Sequence, residues 1–351
     1  MTQAEADAAT LERIADVEQL EELLSRPTPQ AVAAMGRLQG DLIVLGVAGK
    51  IGPTLARMAR RASDAAGVPR RVIGVARFST PELRQRLDRQ GIETIACDLL
   101  DPAQLAALPV VPNVWYLAAM KFGSTGQEDR TWAMNVYLPG LVAQKYATSR
   151  IVAYSSGNVY AMVTPESGGS VETDPPAPLG DYAMSVLGRE RIFTWFSRSL
   201  GIPTSLVRLN YATEMRYGVL VDLAQQVLAG TPIDLTMGYL NAIWQGDSNA
   251  MTLCAMEQAA VPPFVVNVAG PETLRVRQVA EQFGQRLGRP VRFTGSEAPT
   301  AFLSNAGLSY RLYGRPSVTA EHLIRWIADW QLRGGPTLGK PTHFQTRDGK
   351  F

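Results

Sequence analysis

The stretch Asp41-Leu42-Ile43-Val44-Leu45-Gly46-Val47-Ala48-Gly49-Lys50-Ile51-Gly52 decides the fold of this chain. A short apolar run enters three glycines spaced G-x-x-G-x-x-G. The next residues, Pro53-Thr54-Leu55-Ala56-Arg57-Met58-Ala59-Arg60-Arg61, read as a helix. Strand, glycine turn and helix start together make a pyrophosphate cradle. Glycine lets the backbone bend sharply and approach a ligand, while the helix N-terminus offers free N–H groups and a partial positive charge. A glycine pattern alone is a weak signal; the flanking strand and helix make this one stronger.

Outward from Asp41, strand-like and helix-like segments alternate. The strand readings are Leu42–Leu45, Arg71–Ala76, Thr94–Ala96, Asn113–Leu117, Arg150–Tyr154 and Thr204–Arg208. Near-continuous apolar strands separated by helices predict a parallel sheet covered on both faces, with right-handed crossovers. Ligands gather at the carboxyl ends of such strands. The expected fold is α/β, a Rossmann-like doubly wound parallel sheet with a smaller C-terminal α/β substrate domain.

The rhythm changes after about Leu209. Helices are expected over Val219–Leu228, Asn249–Ala259, Val276–Leu287 and Ala320–Leu332, with a strand at Phe264–Val268. Ahead of the glycine turn, Asp16 and Gln19 suit a capping box, and Thr28-Pro29 starts a second helix. Leu11, Ile14, Val17, Leu20, Leu23 and Leu24 form an apolar stripe at helical spacing, which packs on the main domain or on a partner. The organisation expected is a helical extension over 1–39, a dinucleotide-binding domain over 40–208, a mainly substrate-binding part over 209–335 with segments that can return to the sheet, and a polar tail over 336–351.

Composition bounds the function. The 351 residues are 46% hydrophobic and 19% charged, with a net charge of +2, too balanced for a nucleic-acid or membrane-surface partner. Two cysteines, Cys97 and Cys254, and two histidines, His322 and His343, give neither a disulfide framework nor a metal-ligand spacing. No apolar run reaches the ~20 residues of a membrane span, and the N-terminus has no signal-peptide pattern. A cytoplasmic location is expected. Lysine occurs only at Lys50, Lys121, Lys145, Lys340 and Lys350, so each can be weighed by itself.

Further signals follow the glycine turn in order. They are Val75-Ala76-Arg77-Phe78-Ser79, Asp98-Leu99, Tyr116-Leu117-Ala118-Ala119, Asn135, Tyr154-Ser155-Ser156-Gly157-Asn158-Val159-Tyr160, Tyr182-Ala183-Met184-Ser185, Glu190 and Arg208-Leu209-Asn210. As a set over roughly residues 41–290, they resemble the extended short-chain dehydrogenase/reductase family, the NAD(P)-dependent epimerases and dehydratases.

The resemblance implies roles. Gly46, Gly49, Ile51 and Gly52 meet the cofactor's phosphates, Lys50 inside the turn either adds a phosphate contact or points into solvent, and Asp98 and Leu99 flank the adenine. Leu117, Ala118, Ala119, Tyr182, Leu209 and Asn210 line the rest of it. Ala76 stands where an acid would hold the ribose of NAD, and Arg77 follows, which favours NADP(H) and leaves NAD(H) open. Tyr182 is the acid/base and Ser156 holds the reacting oxygen. Ser156, Asn158, Asn210 and Lys121 are candidates to contact substrate; Asn241, Trp244 and Gln245 either face it as well or are packing and turn residues. The family commonly pairs through helices on the sheet's flank, so a homodimer is expected.

One position departs from the family pattern. Four residues after Tyr182 a lysine is expected, to lower the phenol's pKa and bind ribose; Val186 stands there instead. Lys121, at a strand end, is either the compensating charge or a surface lysine. Arg189, seven residues after Tyr182, is expected to be exposed and out of reach. The segment Leu240-Asn241-Ala242-Ile243-Trp244-Gln245-Gly246-Asp247 lacks the arginine that grips phosphates in nucleotide-sugar enzymes of the family. The reading is an NAD(P)-dependent oxidoreductase or epimerase acting on a carbonyl or hydroxyl carbon of a small sugar-like or hydroxy-acid substrate. The alternative is an NADP(H)-binding sensor or regulatory subunit without turnover.

Overall fold

The computed structural model of the chain describes residues 11–121, 123 and 125–350. The expectations for residues 1–10 and 351 lie outside these. Seven parallel strands, β1 (Leu42–Leu45), β2 (Val72–Ala76), β3 (Glu93–Ala96), β4 (Asn113–Tyr116), β5 (Arg150–Ser156), β6 (Thr204–Leu209) and β7 (Phe264–Val268), form one sheet in the order β7-β6-β5-β4-β1-β2-β3. The order reverses at β1, which pairs with β2 on one side and β4 on the other. That reversal opens a crevice beyond the strands' carboxyl ends.

The crossovers are helical. They include α3 (Gly52–Ala65) after the glycine turn, α4 (Pro81–Arg89), α5 (Pro102–Ala107), α6 (Glu128–Trp132), α7 (Leu138–Lys145) and the long α8 (Gly180–Leu200). Between α6 and α7 the chain widens into a π-turn over Ala133–Tyr137. Such bulges are uncommon and gather at functional sites. Both faces of the sheet are buried. Ile43, Val75, Tyr116 and Ala153 point into one layer, and Val44, Trp115, Val152 and Val207 into the other.

Beyond β6 the chain builds a second core around α9 (Val219–Ala229), α11 (Val276–Leu287) and α13 (Ala320–Leu332). The intervening β7 lies at the edge of the main sheet, beside β6. The N-terminal α1 (Val17–Leu24) buries Leu20 and Leu24 in this second core, so its apolar stripe packs on its own chain. Leu11 and Ile14 are not on the helix as the stripe predicted. Asp16 caps α1 at Val17, while the carbonyls of Leu11 and Ile14 are taken by Trp326 Nε1 and Arg333 Nη2.

The polar tail is tied down. Leu338 N donates to the Arg216 carbonyl at 3.0 Å, Thr342 N donates to Asp222 Oδ2 at 2.7 Å, and Phe344 is 3% exposed. Among the described residues, no helix is long and apolar enough to cross a membrane.

Candidate active site

The site begins at the glycine turn. Gly46 has φ +89°, and a Cβ there would collide with the backbone of Ala118 at the end of β4. A Cβ on Gly52 would collide with the backbone of Val47. Only glycine lets β1, the β4 end and the start of α3 approach this closely. Gly49 differs: its Cβ would lie 3.4 Å from the Gly46 carbonyl, at the edge of the cleft.

The crevice holds two adjoining lobes. One, of about 610 Å³, is lined by Arg77, Asp98, Leu99, Leu117, Ala118 and Ala119. The other, of about 550 Å³, is lined by Gly49, Ile51, Gly52, Lys121, Tyr182 and Leu209. A recess of about 200 Å³ continues from it past Ser156, Asn158, Asn210 and Lys50. The structure therefore brings together every site residue expected from the sequence except Trp244. That indole is 4% exposed and stacks edge-on against Trp326, with ring centres 5.9 Å apart, behind the crevice wall. Its neighbour Gln245 faces the recess instead. Ile243-Trp244 is a two-residue strand whose alternation turns the indole to the core.

Around the chemical centre, Ser156 ends β5. Its hydroxyl donates to Asn158 Oδ1 at 3.0 Å and accepts from Asn158 N at 3.2 Å. It also hydrogen-bonds the Tyr182 phenol. Burial raises the Tyr182 phenol above its ordinary value; the charge of Arg189 and the Ser156 bond oppose that rise. Beneath them, Arg208 grips Glu190 with two bonds, of 2.7 and 2.9 Å, fixing β6 against α8. This buried pair is a positioning device.

Val186 is 1% exposed and packs with Val159, Tyr160 and Tyr182. The cations come from elsewhere. Lys121 Nζ stands 5.4 Å from the centre of the Tyr182 ring, and burial pushes its amine down to about 8. Lys50 Nζ lies 3.3 Å from the centre of the Tyr217 ring. Burial, with Lys121 and Lys340 nearby, lowers its amine to about 6. Lys50 thus turns into the recess rather than to solvent.

Arg189 is corrected as well. It is 3% exposed, lines the same lobe as Tyr182, and is neither exposed nor remote.

Several lining residues were not anticipated. Lys340 and Leu338 reach the glycine-turn lobe from the tail, and Glu21 comes from α1. Glu21 pairs with Arg216 at 2.8 Å, and Arg216 pairs with Glu214 at 2.9 Å. The sequence signal that bears on Lys340 is the scarcity of lysine in an arginine-rich chain; in the structure three of the five lysines, Lys50, Lys121 and Lys340, meet at one crevice.

Comparison with known proteins agrees with this architecture. The model of the NAD dependent epimerase/dehydratase family matches residues 42–233. The dTDP-glucose 4,6-dehydratase DesIV from Streptomyces venezuelae, solved with NAD, is 20% identical at a TM-score of 0.71, over 84% of this chain and 98% of that one. The UDP-glucuronic acid 4-epimerase from Bacillus cereus, solved with UDP-glucuronic acid and NAD, is 18% identical at a TM-score of 0.68, over 83% and 98%. MoeE5, solved with UDP-glucose and NAD, is 19% identical at a TM-score of 0.68, over 84% and 99%. No curated protein matches the chain significantly.

Proposed function

Because the chain belongs to the NAD dependent epimerase/dehydratase family, we propose that it is an NAD(P)-dependent oxidoreductase or epimerase. Its substrate is a small sugar-like or hydroxy-acid molecule, altered at a carbonyl or hydroxyl carbon. One observation carries this reading: Ser156, Tyr182 and Lys121 converge on a recess continuous with the glycine-turn crevice.

The residues present fit a dinucleotide. The Cβ-free turn at Gly46, Gly49 and Gly52, with Lys50 and Ile51, opens onto the start of α3, where N–H groups and the helix dipole favour phosphate. Asp98 and Leu99 flank an adenine, and Leu117, Ala118, Ala119, Leu209 and Asn210 give walls to the remainder. Arg77, with no carboxylate in the place of Ala76, favours the 2′-phosphate of NADP(H). When bound, the nicotinamide supplies a hydride donor or acceptor.

The chain's own groups do the rest. Tyr182 gives or takes the proton of the reacting oxygen, and Ser156, oriented by Asn158, hydrogen-bonds that oxygen. Lys121 provides positive charge beside the phenol. Asn158 and Asn210 present polar groups to the substrate. The buried amine of Lys121, charged below pH ~8, favours an acidic substrate within the proposed range. A homodimer is part of the proposal. Tyr137 at 56% and Trp195 at 65% exposure stand on α8 and the neighbouring π-turn, an apolar face that a second copy would cover.

The test follows nicotinamide absorbance with NADPH and NADP across small aldoses, ketoses and sugar acids. Turnover that falls by about 10²-fold or more in Tyr182→Phe supports the reading. Tight binding without turnover, unchanged in Tyr182→Phe, supports the second reading, a sensor without chemistry. The observation behind that second reading is the apolar packing of Val186.

A further inference from the structure

The positive charge missing at Val186 has a buried counterpart one turn further along α8. The Arg189 guanidinium is held on three sides. Nη1 donates to the Tyr154 carbonyl at 2.8 Å, two residues before Ser156 in β5. Nη2 donates to Asn135 Oδ1 at 2.7 Å, in the π-turn. Cζ lies 5.6 Å from the centre of the Tyr116 ring at the end of β4. Among the described residues, Nε meets no hydrogen-bond acceptor. A guanidinium with an unsatisfied donor, 3% exposed, is costly to keep for packing alone.

Its partners lead to the reacting groups. Asn135 Oδ1 also accepts from Met120 N at 3.0 Å, and its Nδ2 donates to the Met120 carbonyl at 2.9 Å and to Ser185 Oγ at 2.9 Å. Asn135 therefore pins the backbone just before Lys121 to the helix that carries Tyr182. The π-turn supplies the extra width that points this amide inward.

We propose that Arg189 is the positioning residue that takes over the duty of the absent lysine. It supplies a fixed positive field to Tyr182 and, through Asn135, holds the Lys121 loop against the site. This rests on the acid/base reading of Tyr182.

The groups facing the phenol are Lys121 from the β4 end, Ser156 from β5, Arg189 from its own helix, and Tyr211 and Tyr217 from the loop after β6. Asp222 on α9 acts on Lys50 and Lys121. Of the two cations, Lys121 titrates near pH 8, whereas an arginine stays charged throughout. Burial raises the phenol, and the Arg189 charge is the foremost influence pulling it back.

The test places a fluorotyrosine at position 182 and follows its titration by fluorine NMR, with no nucleotide or substrate present. The fluorine brings the phenol's titration into a milder range. In Arg189→Met the midpoint is expected to rise by about one pH unit, the size of an adjacent opposite charge. Arg189→Lys is expected to restore most of it. With substrate, kcat is expected to fall about tenfold while KM holds. An unmoved midpoint in folded Arg189→Met overturns the proposal. If that variant does not fold, Arg189→Gln, which keeps hydrogen bonding without charge, decides in the same way. Because the titration needs no cofactor, it stands whether or not the chain proves to be an enzyme.

Discussion

Lys121 Nζ stands 5.4 Å from the centre of the Tyr182 ring, and both line the recess that holds Ser156. This is close enough for the amine's charge to matter to the phenol, in a site dry enough to keep that charge labile. Burial lowers the amine to about 8, so it is charged below that pH and neutral above it. Turnover is expected to decline above pH ~8 in the wild type as the charge is lost. Lys121→Met should cut kcat by about 10²-fold and abolish that decline, as read in a pH–rate profile. A decline that persists in Lys121→Met would assign it to another group.

Arg77 tests cofactor choice. It lines the outer lobe with Asp98 and no carboxylate replaces Ala76. Arg77→Ala is expected to weaken NADP by about tenfold, the worth of one charge-assisted contact, and leave NAD nearly unchanged. Calorimetric titration with both nucleotides checks this; an equal loss for both would remove the 2′-phosphate reading.

Val186 tests the division of labour on α8. Its surroundings, Val159 and Tyr160, are buried and apolar. Val186→Lys is expected to lower stability by about 1–3 kcal/mol, measured by chemical denaturation, because a lysine there must bury its amine. The redox rate of this variant should gain less than tenfold in the wild-type background and recover clearly in the Arg189→Met background. A large gain in the wild type would mean that the native site lacks the field that Arg189 is argued to give.

Lys50 makes a stability prediction with a definite sign. Its amine falls from an ordinary 10.5 to about 6 on folding. Between those values the unfolded chain binds more protons than the folded one, so this residue's contribution to stability improves as pH rises. The penalty is complete below pH 6 and gone above 10.5. Lys50→Met should therefore melt a few degrees higher than the wild type at pH ~7, with the advantage fading towards pH ~10. An advantage independent of pH would mean that the amine is not desolvated.

The sequence made the sheet legible because its signals are local. An apolar strand, a Cβ-free turn and a helix start are set by neighbouring residues, and β1, β7, α11 and α13 fall where periodicity puts them. The site's frame, from Arg77 to Asn210, was legible through motif order. What escaped depends on long side chains and distant contacts. Spacing along α8 separates Arg189 from Tyr182 by two turns, but spacing does not show that its guanidinium spans to β5 and the π-turn. The choice between substrate contact and packing for Trp244 stayed open in the sequence, because a two-residue strand carries no usable period. The tail's composition reads as solvated, yet Leu338, Thr342 and Phe344 anchor it at three points. Lys340 then reaches the crevice from the far end of the chain.

The central claim is that the crevice holds a nicotinamide dinucleotide with its phosphates at the turn before α3. Fluorescence titration of NADPH into the wild type and Gly49→Asp tests it most directly. Gly49 has room for a Cβ 3.4 Å from the Gly46 carbonyl, so this variant should fold while setting a carboxylate against the phosphates. The expected result is saturable binding of one NADPH per wild-type chain and binding weakened by at least ~100-fold in Gly49→Asp, with unchanged circular dichroism. A wild type that takes up neither NADPH nor NADH, or a folded Gly49→Asp that binds equally well, would contradict it.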